Sequence, residues 1–300
     1  MTARGRVMRQ APVAVTRFAP SPTGRLHLGH ALSAVLSHDL ASADGGRFIL
    51  RIEDIDPGRC REAFVEGIFE DLRWLGLGWD GEVVRQSARM HLYSDALARL
   101  RDMGLIYPCF CTRSEIVAEI AASGAAPHGP DGPLYPGTCR MLSTEERARL
   151  LPDTPHALRL DMTAAVALAA PLHWHDDRAG TVAARPEMFG DVVLARKDAP
   201  ASYHLAVTVD DAAQGITDVV RGQDLFAATH VHRLLQALLG LPTPRYHHHP
   251  LVTDAAGRRL AKRDRALTLE EMRRADADPA ALLARLRSGD LTVGRLYQKA

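Results

Sequence analysis

The segment from Val13 to Gly46 restricts this chain more than any other. Val13 to Phe18 reads as a short buried strand, and Ala31 to Ala43 as a helix closed by Gly45-Gly46. Between them run Arg17, Phe18, Ala19, Pro20, Ser21, Pro22, Thr23 and Gly24, then Arg25-Leu26 and His27-Leu28-Gly29-His30. A strand that turns straight into a helix presents free backbone N–H groups and the positive end of the helix dipole, which suits phosphate. His27 and His30, three residues apart, share one face of the helix start. Gly24 and Gly29 let backbone approach a ligand closely. Together these features point to a nucleotide with two imidazoles over its phosphates.

The rest of the first third repeats the pattern. Phe48 to Ile52 reads as a second buried strand, Arg61 to Leu75 as a helix stopped by Gly76, and Ser87 to Met103 as another ended by Gly104. Alternating strand and helix predicts an α/β fold, a doubly wound, Rossmann-like parallel sheet. Ligands of such sheets bind at the carboxyl ends of the strands, where Arg17–Gly24 and Glu53-Asp54 fall. From Tyr107 the texture changes, with Gly and Pro dense over 123–139. Apolar runs resume at Asp191–Ala195 and Tyr203–Val209. Val219–Gly222 ends a further strand, and Thr229–Leu239 is a helix stopped by Gly240 and Pro242. The expected organisation is a loose tail (1–12), a first half of the nucleotide fold (13–106), an insertion (107–185), a second half (186–250) and a basic loop with a helical C-terminal region (251–300). In that last part Thr268–Glu271 has a capping-box pattern, and Asp278-Pro279 starts a helix that Gly289 can close.

Composition narrows the class of function. With 46% hydrophobic and 24% charged residues the chain is an ordinary globular one. No apolar run approaches the roughly 20 residues of a membrane span, and the first twelve residues lack the apolar core of a signal peptide. Four cysteines do not make a disulfide scaffold, so a reducing cytoplasm is expected. The net charge of +1 hides an asymmetry: residues 257–300 hold eleven Lys or Arg against six Asp or Glu. That is either a footprint for a phosphate backbone or a solvated helical face.

Several groups carry chemistry. Glu53-Asp54 at a strand end is either a cap or part of a ligand site. Arg259-Leu260-Ala261-Lys262-Arg263 follows a turn at Asp254–Gly257 and is basic. Cys109-Phe110-Cys111 with Cys139 offers three zinc ligands and leaves one position to fill, for which Tyr135 and His128 are in range. Chemistry alone favours the histidine. Cys60 lies elsewhere and reads as a bystander. His247-His248-His249 reads as strand packing rather than as a metal run.

The segment from Arg17 to His30 resembles the signature of class I aminoacyl-tRNA synthetases, and its Arg17–Gly24 lead-in resembles the glutamyl and glutaminyl branch. Glu53-Asp54, Tyr203 and Arg221 continue the likeness. The resemblance implies a glutamate site lined by Arg17, Phe18, Ala19, Pro20, Ser21, Glu53, Tyr203 and Arg221, with Glu53 on the substrate's amino group. Two guanidiniums and one carboxylate complement a substrate with two carboxylates and one ammonium; which arginine takes which carboxylate stays open. It implies ATP with Mg2+ at His27, Gly29, His30 and Lys262, with His27, His30 and Lys262 as the catalytic set. Arg259 and Ala261 depart from the lysine-rich loop of that class. The pattern of Cys109, Cys111, Tyr135 and Cys139 is similar to the zinc pattern of one branch and favours Tyr135 as fourth ligand to one structural Zn2+. Only 38 residues follow Lys262, too few for a further domain of ordinary size. Over 14–270 the chain therefore resembles the shortened glutamyl-queuosine tRNA(Asp) synthetases, which transfer activated glutamate to queuosine in the anticodon of tRNA(Asp). The implied partners are L-glutamate, ATP and the tRNA(Asp) anticodon stem-loop; no membrane partner and a monomer are expected. A truncated enzyme charging tRNA(Glu) and a non-catalytic tRNA-binding protein are the alternatives.

Overall fold

The computed structural model describes residues 13–43, 45–122, 128–253 and 267–289. In chain order the first elements are β1 (Val15–Phe18), α1 (Leu28–Ala43), β2 (Arg47–Ile52), α2 (Glu62–Trp74), β3 (Val84–Arg85) and α3 (Met90–Asp102). Next come β4 (Ile106–Cys109), α4 (Arg113–Ala122), β5 (His128–Gly129), β6 (Gly132–Pro133), α5 (Thr144–Leu150), β7 (Ala157–Leu160) and α6 (Met162–Ala169). The chain continues through β8 (His173–Asp176), β9 (Gly180–Ala183), β10 (Val193–Ala195), α7 (Tyr203–Ala213), β11 (Asp218–Gly222) and α8 (Ala228–Leu238). It ends with β12 (Arg245–His249), α9 (Leu269–Arg274) and α10 (Pro279–Ser288).

Strands β1, β2 and β3 pair in parallel, as do β11, β12 and β8, with β9 antiparallel at the outer edge. The two sets meet where β1 lies against β11. There the Val15 N–H donates to Thr217 Oγ1 at 2.8 Å and the Thr217 N–H donates to the Val15 carbonyl at 3.0 Å. The chain leaves β1 in one direction toward β2 and returns on its other side as β11. That reversal opens a crevice at the strand ends, as the expected α/β architecture requires.

Strand β2 shows why the sheet is covered on both faces. Phe48, Leu50 and Ile52 join the core shared with α1 and α2, while Ile49 joins a second core with Trp174, Val219 and Tyr246. Alternate residues of a strand point to opposite faces, so a run with apolar residues at both parities needs two apolar partners. The turn between α1 and β2 is tight enough to demand glycine: a Cβ at Gly46 would stand 2.0 Å from the Ala14 carbonyl oxygen. One expected element differs in detail, and one apolar run of unassigned type is placed. The helix expected over Ser87 to Met103 is preceded by a 3₁₀ turn, Gln86–Arg89, and α3 itself starts at Met90. The run from Tyr203 is the helix α7; every residue from Leu205 to Asp211 is buried, polar ones included, so no exposed face marks the helical period.

Strands β10, β7 and β4 form a separate antiparallel sheet. The cysteines gather beside it around a small core of Tyr107, Cys109 and Cys139. After residue 267 the chain returns to the first core. Thr268 closes the expected capping box with Glu271, Asp278 caps α10, and Leu269, Met272, Leu282 and Leu286 pack with the α1 and α2 residues. Among the described residues no helix is long and apolar enough to cross a membrane.

Candidate active site and metal centre

A cleft of about 800 Å³ opens at the carboxyl ends of β1, β2 and β11. The end of β1 supplies Arg17 and Phe18, and the turn after it Ala19, Pro20 and Ser21; α1 supplies Gly29, His30 and Ser33, with His27 just before it. Glu53 enters from the end of β2, Tyr203 from α7 and Arg221 from β11. All the expected glutamate-site residues thus share one wall system, with both histidines at its helix end. Lys262, Arg259 and Ala261 lie outside the described residues.

The histidines support the turn they sit on. The Gly29 N–H donates to His27 Nδ1 at 3.1 Å, and the His27 N–H donates to His30 Nδ1 at 3.2 Å. Both rings therefore satisfy orphan donors of the helix start, and in the neutral form each carries its proton on Nε2. The ring centroids are 3.9 Å apart. A Cβ at Gly29 would come within 3.1 Å of the His27 ring, so this glycine makes room for an imidazole. At Gly24 nothing lies within 4 Å, and the backbone there is open to a ligand.

The floor of the cleft is a buried ion network. Arg17 Nε donates to Asp211 Oδ1 at 3.0 Å, and Arg51 donates to the same oxygen at 2.8 Å. Arg51 also reaches Glu53 at 3.2 Å and lies 3.9 Å from Asp210, which in turn accepts from Arg89, Gln86 and Tyr93. Burial pushes the Glu53 carboxyl up, against the pull of Arg51 and Arg17. Burial acts on Asp211 in the same sense, but Arg17 and Arg51 prevail and hold it below the usual carboxylate range.

Arg221 has different company. Its guanidinium donates to His248 Nε2 at 3.1 Å, the Tyr203 hydroxyl at 3.3 Å, His232 Nδ1 at 3.3 Å and Thr229 Oγ1 at 2.6 Å. It sits 5.3 Å from the Tyr246 ring centre. Among the described residues it forms no ion pair with a carboxylate. Burial, reinforced by Arg221, holds His248 down to about 4 even though Asp176 pulls the other way. The same two causes hold His232 well below the imidazole range and His204 at about 4. The rings around Arg221 are therefore neutral acceptors near pH 7.

At the cysteine cluster the sulfurs of Cys109, Cys111 and Cys139 lie within 4.8 Å of one another, and all three are free thiols. The Tyr135 hydroxyl stands 3.5 Å from Cys109 Sγ and 3.6 Å from Cys111 Sγ, and accepts from the Cys139 N–H at 2.8 Å. Three sulfurs and one oxygen around a common point are a donor set suited to a tetrahedral metal ion. His128 is not part of this cluster, and Cys60 is remote from it. His247, His248 and His249 bond to Asp218, Asp176 and Ser33 respectively, which accounts for the run by separate partners, two in the sheet and one on α1.

Residues 13–295 match the family described as tRNA synthetases class I (E and Q), catalytic domain. The chain is 53% identical to the glutamyl-Q tRNA(Asp) synthetase of Rhodobacter capsulatus over 272 residues, covering 89% of this chain and 97% of that protein. It is 47% identical to the one of Nocardia farcinica, covering 90% and 82%. The chain belongs to the glutamyl-Q tRNA(Asp) synthetase family. A solved structure of the glutamate tRNA ligase of Elizabethkingia meningosepticum in complex with its amino acid superposes with a TM-score of 0.76 at 29% identity. That of the Elizabethkingia anophelis glutamate-tRNA synthetase gives 0.78 at 29%. Each match covers 91% of this chain but only 60% and 61% of the solved ones, so the chain spans about three fifths of their length.

In this family member, reasoning from sequence left out Arg51, Asp211, His232, His248 and Thr229. Arg51 did leave a signal: a lone arginine inside the apolar run Phe48–Ile52 must find a buried partner. Asp210-Asp211 at the end of the apolar run from Leu205 was the matching half.

Proposed function

We propose that the cleft activates L-glutamate with ATP and passes the glutamyl group to queuosine in the anticodon of tRNA(Asp). The observation that carries this reading is Arg221. It is a buried cation facing the cleft, held by neutral acceptors, and a substrate carboxylate completes its surroundings. The α-carboxylate has to reach the phosphates at the histidine end, so the side-chain carboxylate is the one that fits Arg221 in the deep wall. Glu53 then accepts from the substrate ammonium, and Arg17, fixed by Asp211, faces the same ligand beside the Phe18–Ser21 backbone.

The chemistry runs in two steps. An α-carboxylate oxygen attacks the α-phosphorus of ATP, which is bound with Mg2+, and pyrophosphate leaves. A hydroxyl of the queuosine ring then attacks the acyl carbon, the bond from that carbon to the phosphate oxygen breaks, and AMP leaves with its electrons while the hydroxyl proton passes to the departing phosphate or to water. His27, His30 and Lys262 stabilise negative charge building on the phosphates, a role that is electrostatic rather than nucleophilic. Cys109, Cys111, Cys139 and Tyr135 hold one Zn2+, which supplies structural cross-linking of the small sheet. The queuosine assignment is supported by the names of the relatives that match nearly end to end. The protein acts as a monomer in the cytoplasm, where tRNA is found.

Two measurements test this. Glutamate-dependent ATP–pyrophosphate exchange is expected without tRNA; none above a heat-killed control sinks the activation step. Radiolabelled glutamate is expected on tRNA(Asp) only from cells that make queuosine, and the label survives removal of the 3′-terminal adenosine. Labelling of tRNA(Glu) at its 3′ end favours a truncated charging enzyme instead.

A further inference from the structure

Arg17 and Arg221 line the substrate wall with Arg51 buried behind them, and the protein treats the three unlike one another. Arg17 and Arg51 share the Asp211 carboxylate, and Arg51 also pairs with Glu53. Arg221 is as deeply placed as Arg17, each 5% exposed, yet its four protein acceptors are a hydroxyl from Thr229, a phenol from Tyr203 and two imidazoles. The imidazoles pass the bond outward. His232 accepts from Arg221 on Nδ1, so its Nε2 carries the proton and donates to His204 Nδ1 at 3.2 Å. His248 accepts on Nε2 and donates from Nδ1 to Asp176 at 2.8 Å.

On the His232 side no carboxylate touches the guanidinium: the relay ends at His204, whose Nε2 lies 4.0 Å from the exposed Asp131 carboxylate. The charged and titratable groups acting on His232 from the packed elements are Arg221 on β11, His204 on α7, Arg17 on β1 and His248 on β12. An isolated buried cation is costly, and an anion brought into its unfilled side recovers that cost, whereas a neutral amide recovers little of it.

We infer that His232 is a specificity-determining positioning residue: by holding Arg221 with a neutral acceptor, it leaves the guanidinium charge to be matched by substrate and so selects glutamate over glutamine. The inference rests on Arg221 as the contact for the side-chain carboxylate and adds what makes that contact selective. A carboxylate in place of the ring would neutralise Arg221 in advance and remove the advantage of the acid. The acceptor geometry alone, supplied by an amide oxygen, would keep it.

The test is tRNA-independent pyrophosphate exchange with glutamate and with glutamine, read as separate KM and kcat values. His232→Asp is expected to raise the glutamate KM at least thirtyfold, leave the ATP KM within about twofold, and lower the glutamate-to-glutamine ratio of kcat/KM at least tenfold. Thr229→Asp, which brings a carboxylate to another edge of the same guanidinium, shifts the ratio in the same direction. His232→Asn lowers activity but keeps the ratio. A wild-type ratio in whichever carboxylate variant folds overturns the inference. If neither shows a cooperative melt, His232→Asn decides: a retained ratio supports the inference and a collapsed one ends it. Arg221→Ala separates the two levels. Wild-type glutamate kinetics in that variant remove the underlying reading, whereas an inactive Arg221→Ala beside an unselective response of His232→Asp to charge removes only the role of His232.

Discussion

The floor of the cleft and the cysteine cluster both bury polar atoms, and they satisfy them in opposite ways. At the floor the chain supplies both signs: Arg17 and Arg51 against Asp211, Glu53 and Asp210, inside a fold with large apolar clusters on either side. At the cluster it supplies donors only: three thiols and a phenol around a core of Tyr107, Cys109 and Cys139. The other side of the β4–β7–β10 sheet packs into a large apolar cluster through Leu160, Leu194 and Ala195, so only the cysteine side, with its few apolar residues, has need of a metal. Self-contained electrostatics therefore stand between the two large clusters, and a guest ion belongs at the margin of one, where the chain after β4 has little apolar cover of its own.

Removing Arg51 is the severest challenge to that contrast. Arg51→Ala strips a fully buried guanidinium from Glu53 and Asp211 and leaves carboxylates without their partner. The expected cost is about 3–5 kcal/mol of global stability, seen as a lower denaturant midpoint. A loss below about 1 kcal/mol would mean the network is not the internal counter-ion system described here.

Arg221→Ala probes the wall that is left incomplete. Its acceptors are neutral, so folding is expected to suffer less than in Arg51→Ala. Binding of the substrate carboxylate is expected to lose about 2–4 kcal/mol, roughly thirty- to a thousandfold in glutamate kcat/KM. Equal damage to stability and no loss of kcat/KM would reverse the assignment of the two arginines.

The metal makes the complementary prediction. Protein prepared without chelator is expected to carry one zinc by elemental analysis, and Cys109→Ser to lose it. Tyr135→Phe is expected to weaken zinc by about ten- to a hundredfold. Hydrogen exchange after chelation is expected to rise at the end of β4 and over residues 135–140 while β2 stays protected, because β2 packs into other clusters. Unchanged affinity in Tyr135→Phe points to another fourth ligand.

How far the sequence reaches follows the same division. The turn after β1, the two histidines, the caps at Thr268 and Asp278 and the three cysteines are local patterns, and each appears in the structure where its spacing places it. The pairing of Arg51 with Asp211 joins residues 160 positions apart, and that of Arg17 with Asp211 joins residues 194 apart. No local period encodes such a pair; it exists only once α7 is packed across β1 and β2. The buried helix α7 hid its own type for the same reason, since a helix without a solvent face shows no amphipathic repeat. His248 looked like one of three equivalent residues, and only the register of β12 with β11 sets it beside Arg221.

The gentlest test uses pH on the neutral rings of the wall. His204 and His248 are held to about 4, by burial first and then by Arg221, from an ordinary value of 6.5. Below 6.5 the unfolded chain protonates these rings while the folded one does not, so the unfolded state binds more protons and stability falls with falling pH. The contribution is complete above 6.5 and is lost progressively toward pH 4. By pH 5.5 it amounts to about 1 kcal/mol per ring. Asp71 opposes it: burial raises its carboxyl to about 6, so the folded state gains a proton first there and is favoured between about 6 and 4. Unfolding measured from pH 7.5 to 5.5 is therefore expected to show a modest net loss in the wild type. Asp71→Asn is expected to steepen that loss and His204→Asn to flatten it by about 1 kcal/mol. A slope indifferent to His204→Asn would mean that this ring is not kept neutral by the fold, and the uncompensated setting of Arg221 would have to be sought in His232 and His248 alone.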